Sequence, residues 1–369
     1  MHPYAYHNCL RQQGCSVADK RAVVQSRWEK SEDWALLRDG GRKRDVTSRD
    51  VARSLGVSQS MVSRAFDPAG RVSKENRERI MRAAETLGYV PNVIARSLST
   101  RRSGIVAIVI GGMDNPFYTD MLDHTAAALD AAGYRSLLFR VPAGQDVDDQ
   151  LPALRQYNVD ALIVASASIS SRIAEEWQRD NRRVVLFNRS VPDQSVPSVT
   201  CDNESGAREL ADLLIDRGHS RLVFVAGPQG TSTNREREAG FIRRLMERGC
   251  SLAGRVDTTS YSFAEGYRAA AEALAVKPDA MFFANDVLAL GGMDRLRYDF
   301  GVKIPSDISV VGFDDIQMAG WPAYNLTTIR QPIDEMVRVT VELITDHDAP
   351  PTRRIVRGEL VSRGTVRPA

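Results

Sequence analysis

The chain has 369 residues, 43% hydrophobic and 26% charged, which is globular composition with length for two or three domains and no need of a disulfide or metal staple. The net charge of +2 conceals an uneven distribution: residues 1–45 carry 9 basic and 6 acidic side chains, 46–103 carry 11 and 5, and 104–369 carry 29 and 36. A small basic head on a large acidic body points to a head that meets an anion and a body that does not.

Four cysteines (Cys9, Cys15, Cys201, Cys250) form no C-x-x-C pair, which argues against a zinc ribbon or a redox motif, and neither metal nor cofactor is expected. Residues 1–7 lack the basic and apolar stretches of a signal peptide, and apolar runs such as 105–110 fall far short of a membrane span. A reducing cytoplasm with no membrane partner is the expectation. Residues 1–45 mix Arg42-Lys-Arg44 with Trp28 and Trp34 and show no sustained period. They read as a disordered extension or an early start assignment, with a basic arm on phosphates as the other reading.

Residues 46–91 predict three short helices. Thr47-Ser-Arg-Asp50 has the spacing of a capping box, followed by Val51, Ala52 and Leu55 on one face and a stop at Gly56. Ser58 caps a second helix that buries Met61, Val62 and Ala65 and shows Gln59, Ser60, Ser63 and Arg64 on its other face. A third starts at Ser73, buries Ile80, Met81, Ala84 and Leu87, and ends at Gly88. Two helices joined by a tight glycine turn match the helix-turn-helix, whose second helix enters the major groove. Asn92 can cap a further two-turn helix, which is marginal alone in water and should order only against a partner, as a hinge does.

These residues resemble the lactose/galactose-repressor (LacI/GalR) family. The resemblance rests on Val46-Thr-Ser-Arg-Asp-Val-Ala-Arg-Ser-Leu-Gly-Val-Ser58, Val62-Ser-Arg64, Val72-Ser73, Leu87-Gly-Tyr-Val-Pro-Asn92 and Ala95-Arg-Ser-Leu98, and it runs from about Val46 to the C-terminus. It implies that Gln59 and Ser60 occupy the leading base-selecting positions and that Arg64 reads a third, where its fork suits guanine O6/N7. It further implies that Leu98 wedges into the minor groove and kinks the DNA, with Thr47, Ser58, Ser63, Asn92 and Ala95 completing the contact set.

From residue 103 onward, strand-like and helix-like segments alternate. Strands are predicted at 104–110, 136–141, 161–165, 184–187, 222–226, 280–283 and 308–312, and helices at 117–132, 204–217, 236–248, 264–274 and 287–297. Alternation implies parallel sheets with right-handed crossovers, and about ten units are too many for one sheet, so two lobes are expected. Ligands of such sheets bind beyond the carboxyl ends of the strands, here between the lobes.

The body is similar to the same family's effector domain, itself related to periplasmic sugar-binding proteins. The matching segments include Asn115-Pro-Phe-Tyr118, Asp202-Asn203, Arg217-Gly-His219, Arg237-Glu-Ala-Gly-Phe241, Ala284-Asn-Asp286, Gly312-Phe-Asp314 and Leu326-Thr-Thr-Ile329. The chain departs from the pattern at Trp321-Pro-Ala-Tyr-Asn325 and in its first 45 residues. Arg237 offers a rigid fork of donors, Asp314 accepts two hydrogen bonds and Asn285 does both, while Phe117, Tyr118 and Tyr261 give flat apolar faces. Asn188, Arg189 and Asp202 follow other strands and complete the candidate set. For each polar member the alternative is a strand-end or cap role, and for Tyr118 and Tyr261 it is packing between lobes.

The chain lacks G-x-S-x-G, G-x-x-x-x-G-K-[ST] and H-E-x-x-H, and its five histidines form no local metal pattern. His219, in a turn feeding a strand, reads as structural. The expectation is therefore an α/β chain that is not an enzyme. An all-α helix-turn-helix head at 46–91 and a hinge and linker at 92–103 precede a two-lobed, periplasmic-binding-protein-like body at 104–369. It is expected to act in the bacterial cytoplasm as a repressor that binds pseudo-palindromic double-stranded operator DNA as a homodimer or tetramer, and to respond to a small effector, a carbohydrate by preference. A purine or nucleoside effector, a sugar solute-binding protein and a catalytic domain with a DNA-binding head are the competing readings.

Overall fold

The computed structural model describes residues 46–67, 70–90, 103–111, 113–142, 145, 147, 154–165, 176–177, 179, 182–191, 195–346 and 352–368, with two-residue strands at Arg38–Asp39 and Arg42–Lys43. The expected hinge residues Asn92, Ala95 and Leu98 lie outside the described residues. The chain divides into two compact units, residues 1–99 and 100–369.

In the first unit, α1 (Ser48–Leu55), α2 (Gln59–Ala65) and α3 (Lys74–Leu87) pack around Val51, Ala52, Val62, Ala65, Ile80 and Ala84. Helix α1 is closed at its start by Asp50, whose Oδ2 accepts from the Thr47 backbone N–H at 2.9 Å and the Thr47 hydroxyl at 2.6 Å. Gly56 and Gly88 end α1 and α3 at φ of 67° and 72°, a left-handed conformation that costs a side chain energy and glycine none. Arg77 on α3 donates to the carbonyls of Ala65, Asp67 and Gly70, satisfying backbone groups just past α2. One expectation fails here: Met81 is 46% exposed, because the three-helix core is filled from α3 by Ile80 and Ala84.

In the second unit, a six-stranded parallel sheet is built from β1 (Ile105–Gly111), β2 (Arg135–Val141), β3 (Ala161–Ala165), β4 (Arg183–Phe187), β5 (Ser198–Cys201) and β11 (Arg353–Val356), in the order β11-β5-β4-β3-β1-β2. A four-stranded parallel sheet joins β6 (Leu222–Val225), β7 (Leu252–Val256), β8 (Ala280–Phe283) and β9 (Ser309–Val311), in the order β9-β8-β6-β7. An antiparallel pair, β10 (Thr328–Arg330) and β12 (Glu359–Val361), stands beside them. Central strands such as β3 and β8 are buried throughout, as parallel strands covered on both faces should be.

Helices α4 (Phe117–Ala131) and α9 (Ile333–Thr345) cover the first lobe. The second lobe carries α5 (Asn203–Asp216), α6 (Ser232–Glu247), α7 (Phe263–Ala273) and α8 (Asp286–Asp294), the last running into a π-helical turn at Arg295–Asp299. The chain passes between lobes after β5, before α9 and between β11 and β12. The β11 and β5 edge is fixed there by the Asp202 N–H, which donates to Val356 O at 2.8 Å.

The seven predicted strands and five predicted body helices are all present, with ends displaced by a few residues. The largest displacement is α6, which starts at Ser232 rather than Glu236. Strands β5, β7 and β10–β12 and helix α9 are additional elements.

Candidate functional site

Two groups of side chains stand out, one in each unit. On α2 of the head, Gln59, Ser60, Ser63 and Arg64 are all exposed. The helix is opened by Ser58, whose hydroxyl accepts from the Met61 N–H at 3.2 Å and lies 3.0 Å from the Ser60 hydroxyl. Gln59 is oriented by α1: its Nε2 donates to Ser48 Oγ at 3.0 Å and its Oε1 accepts from Arg49 Nε at 3.3 Å. Arg64 Nε donates to Ser60 O at 3.2 Å, leaving the rest of the guanidinium turned outward. The result is a short polar ridge on a rigid helix, the shape a major groove admits.

In the body, the polar candidates are buried. Arg237 reaches from α6 and spends its guanidinium on three partners: Asn203 Oδ1 at 2.9 Å, Ala284 O at 2.6 Å and Asp314 Oδ1 at 3.1 Å. Its plane also lies 3.8 Å from the centre of the Phe313 ring. Asp314, past β9, accepts further from Gln331 Nε2 at 2.7 Å and from Asn115 Nδ2 at 3.3 Å. Asn115 follows β1 of the other lobe, so this carboxylate bridges the cleft. Burial pushes the Asp314 carboxyl upward while the Arg237 cation pulls it down, and the upward effect prevails. Its backbone sits at φ 127° and that of Asn188 at 53°, sparsely populated conformations for residues with a Cβ.

Two neighbours deepen the picture. Asp286 is fully buried, and burial together with the Asp314 charge pushes its carboxyl up to about 7. It accepts from the Thr328 hydroxyl at 2.6 Å and the Ile316 N–H at 3.0 Å. Burial pushes the Cys201 thiol up to about 12, so this sulfur is a protonated packing group and not a nucleophile.

A second bridge between lobes forms around Glu236. It accepts from Arg353 at 2.7 Å, from Asn203 at 3.0 Å and from the Ser190 hydroxyl at 3.3 Å, and the Ser190 N–H donates to Ser232 Oγ at 3.1 Å. Buried polar atoms with no partner among the described residues include Asn188 Oδ1, Arg189 Nε and Nη1, Asn285 Nδ2 and Gln331 Oε1, as well as Arg182 Nη1, Arg295 Nε and Thr352 Oγ1 elsewhere in the body. An unpaired buried hydrogen-bonding group costs about 1–3 kcal/mol, a cost that a bound ligand can relieve.

The structure thus brings Arg237 and Asp314 into direct contact and leaves Asn188, Arg189 and Asn285 with unused atoms. Asn285 also caps α8, accepting from the Leu288 N–H at 3.0 Å. Asp202 caps α5, accepting from the Ser205 N–H at 3.0 Å, and faces a separate open cavity of about 470 Å³ with Arg208, Glu236 and Arg353. Phe117 and Tyr118 are core residues, stacked edge to face at 5.4 Å. Tyr261 is half-buried, its hydroxyl 3.3 Å from that of Thr231. His219 packs against Arg367 and Asp279 at the far end of a strand, a structural position. Gln331 and Asn203 went unread as candidates: their partners are 17 and 34 residues away, and no local motif marks them.

A helix-turn-helix head followed by a two-lobed α/β body with a polar interlobe cleft defines a ligand-responsive DNA-binding regulator. Comparison with known proteins agrees. Residues 47–92 match the model of bacterial regulatory proteins of the lacI family, and residues 211–366 match a periplasmic binding protein-like domain. The transcriptional regulator GalS of Salmonella typhimurium is 31% identical, covering 81% of this chain and 88% of its own length. The regulator CelR of Thermobifida fusca is also 31% identical, covering 87% and 98%. Among solved structures, the lac repressor dimer bound to operator and an anti-inducer superposes with a TM-score of 0.77 at 26% identity, covering 87% of this chain and 99% of the other. The chain belongs to the lacI family of bacterial regulatory proteins; it is a transcription regulator and not an enzyme.

Proposed function

We propose that this regulator is a repressor that binds a pseudo-palindromic operator as a homodimer and that a carbohydrate in the interlobe cleft shifts its operator affinity. In this reading residues 46–91 read DNA, 92–103 form the hinge and linker, 104–369 bind effector and partner subunit, and the protein works in the cytoplasm. Gln59, Ser60 and Arg64 contact bases, Thr47, Ser58, Ser63, Asn92 and Ala95 support them, and Leu98 enters the minor groove. Asn188, Arg189, Arg237, Asn285 and Asp314 hold the effector. The names of relatives point the same way: a ribose operon repressor of Halalkalibacterium halodurans is 30% identical, and CelR has been solved with cellobiose.

The observation that carries the effector assignment is the set of unpaired buried atoms on Asn188, Arg189, Asn285 and Gln331. They mix donors with acceptors and come from both lobes, the arrangement that a ring of hydroxyls can satisfy. A ligand touching both lobes favours one closure over another. It changes operator affinity only by its differential affinity for the two states. Fluorescence anisotropy on an operator selected from randomised duplexes, with and without a panel of sugars, tests this. A sugar that alters operator affinity is the expected result. Binding of nucleosides and of no sugar would replace the carbohydrate assignment, and analytical ultracentrifugation separates dimer from tetramer.

A further inference from the structure

Asp286, the first residue of α8, is fully buried and grips the turn after β9 at both ends. Its backbone N–H donates to Phe313 O at 2.9 Å, and its Oδ2 accepts from the Ile316 N–H at 3.0 Å. Its Oδ1 lies 2.6 Å from the hydroxyl of Thr328 on β10, the strand that leads toward α9 in the other lobe. The carboxyl also fills the space beside Gly312, where a Cβ would stand 2.2 Å from Oδ1. Asp314 and Asp315, held between these anchors, have φ of 127° and 58°. Backbone of that kind persists only where its surroundings over-determine it.

The charges around Asp286 are matched to one another and not to it. Asp314 is paired with Arg237 of α6, and Asp315 with Arg330 of β10 and with Arg363 beyond β12. Strands β8 and β9 carry no charge, and α7 turns Glu265 and Arg268 toward each other at the surface. Among the described residues the Asp286 carboxyl bonds to Thr328 and Ile316 and forms no ion pair. Burial, with the charges of Asp314 and Asp315 beside it, pushes this carboxyl up to about 7. As the neutral acid it can give its proton to the Thr328 hydroxyl and still accept from the Ile316 N–H.

We infer that Asp286 is a positioning residue of the effector site: it fixes the turn 313–316 and so sets where Asp314 stands, without touching the effector itself. The inference rests on the effector reading above and adds to it a residue from outside the cleft. Loss of the Asp286 proton places an unmatched negative charge beside Asp314, and the turn must shift to separate the two. Asp314 is then displaced from the position in which it accepts from a ligand. Effector affinity is therefore full below neutrality and falls as pH rises through about 7.

Titration calorimetry on the full chain tests this with ribose, cellobiose, galactose and glucose, neutral sugars that do not themselves titrate. For the tightest binder, wild-type affinity at about pH 8 should be about tenfold below that at about pH 6, because about a unit above 7 only about one molecule in ten keeps the proton. Asp286→Asn keeps a neutral group of the same shape, so it should bind as the wild type does at the lower pH and lose the dependence. Asp286→Ala should bind more weakly at both values, with faster hydrogen exchange at the Ile316 amide. Circular dichroism checks that both variants fold; should Asp286→Ala fail, Asp286→Asn and the wild-type profile carry the test. A wild-type affinity that is flat with pH overturns the inference and leaves the effector reading intact, as does a slope that survives in Asp286→Asn. Binding of none of the four sugars removes the carbohydrate reading and this inference with it.

Discussion

On α2 of the head, Gln59, Ser60, Ser63 and Arg64 stand in solvent, whereas Arg237, Asn285 and Asp314 of the body are at least 96% buried. The head's polar ridge is carried by a core of six small and branched residues that the ridge does not enter. In the body, the polar residues are themselves part of the interior: Arg237 lies against Phe313, and Asp314 ties β1 to β9 through Asn115. Function is therefore separable from folding in the head and inseparable from it in the body. A substitution on α2 should alter binding at nearly constant stability, while one at Asp314 should alter both.

The strongest test of that contrast is Asp314→Ala. It leaves Arg237 buried with an unmatched charge and removes the acceptor used by Gln331 and Asn115. Breaking such a pair costs about 3–5 kcal/mol, so denaturant unfolding should show a loss of that size together with loss of effector response. A loss below about 1 kcal/mol would mean that the network does not hold the body together.

A second test uses pH. The Asp286 carboxyl rises from 3.8 to about 7 in the folded protein, so between those values the folded state keeps a proton that the unfolded chain has released. Its stabilising contribution is full below the unfolded value, declines as pH rises, and is lost above about 7. Asp286→Asn should flatten this decline in denaturant midpoints, since the amide still accepts from Ile316 N–H and donates to the Thr328 hydroxyl. A variant with the wild-type slope would clear Asp286 of the effect.

In the head, Arg64→Ala should weaken operator binding by about 1–3 kcal/mol and relax preference at one base position, with the melting temperature unchanged. A selected sequence logo identical to wild type would remove Arg64 from the base-reading set. The smallest effect is expected from Ser73→Ala, which deletes a long 3.4 Å cap bond at the start of α3. About 0.5–1 kcal/mol of stability should be lost with no change in base preference, measured by the same melts and selection.

Much of this was legible in the sequence, and the head most of all. Thr47, Ser58 and Ser73 open the helices as their cap chemistry dictates, and Gly56 and Gly88 close two of them. Only Met81 was misplaced, because helical periodicity gives two adjacent positions nearly equal claims on one face and the packing of α1 and α2 chose Ile80. In the body, strands such as 161–165 and 280–283 were predicted to the residue, since fully buried parallel strands are continuous apolar runs bounded by polar turns. Strands β10–β12 escaped because short half-exposed segments such as Arg353–Val356 have no such run and are extended only by virtue of their partners.

The sequence by itself determined the caps, the exposed ridge of α2 and the alternation of strand and helix, which are local properties fixed by backbone preferences and apolar spacing within a few turns. Arg237 and Asp314 became candidates through the resemblance of their segments to the family's effector domain and the hydrogen-bonding capacity of their side chains. What only the tertiary structure decided is which buried polar groups find partners. Arg237 meets Asp314 across 77 residues and Asn115 meets it across 199, which quiets those charges, while Arg189 is buried with two donors unused. Hydrogen-bond satisfaction in an interior depends on atoms brought within about 3 Å by distant parts of the chain, and no periodicity in the sequence encodes that distance.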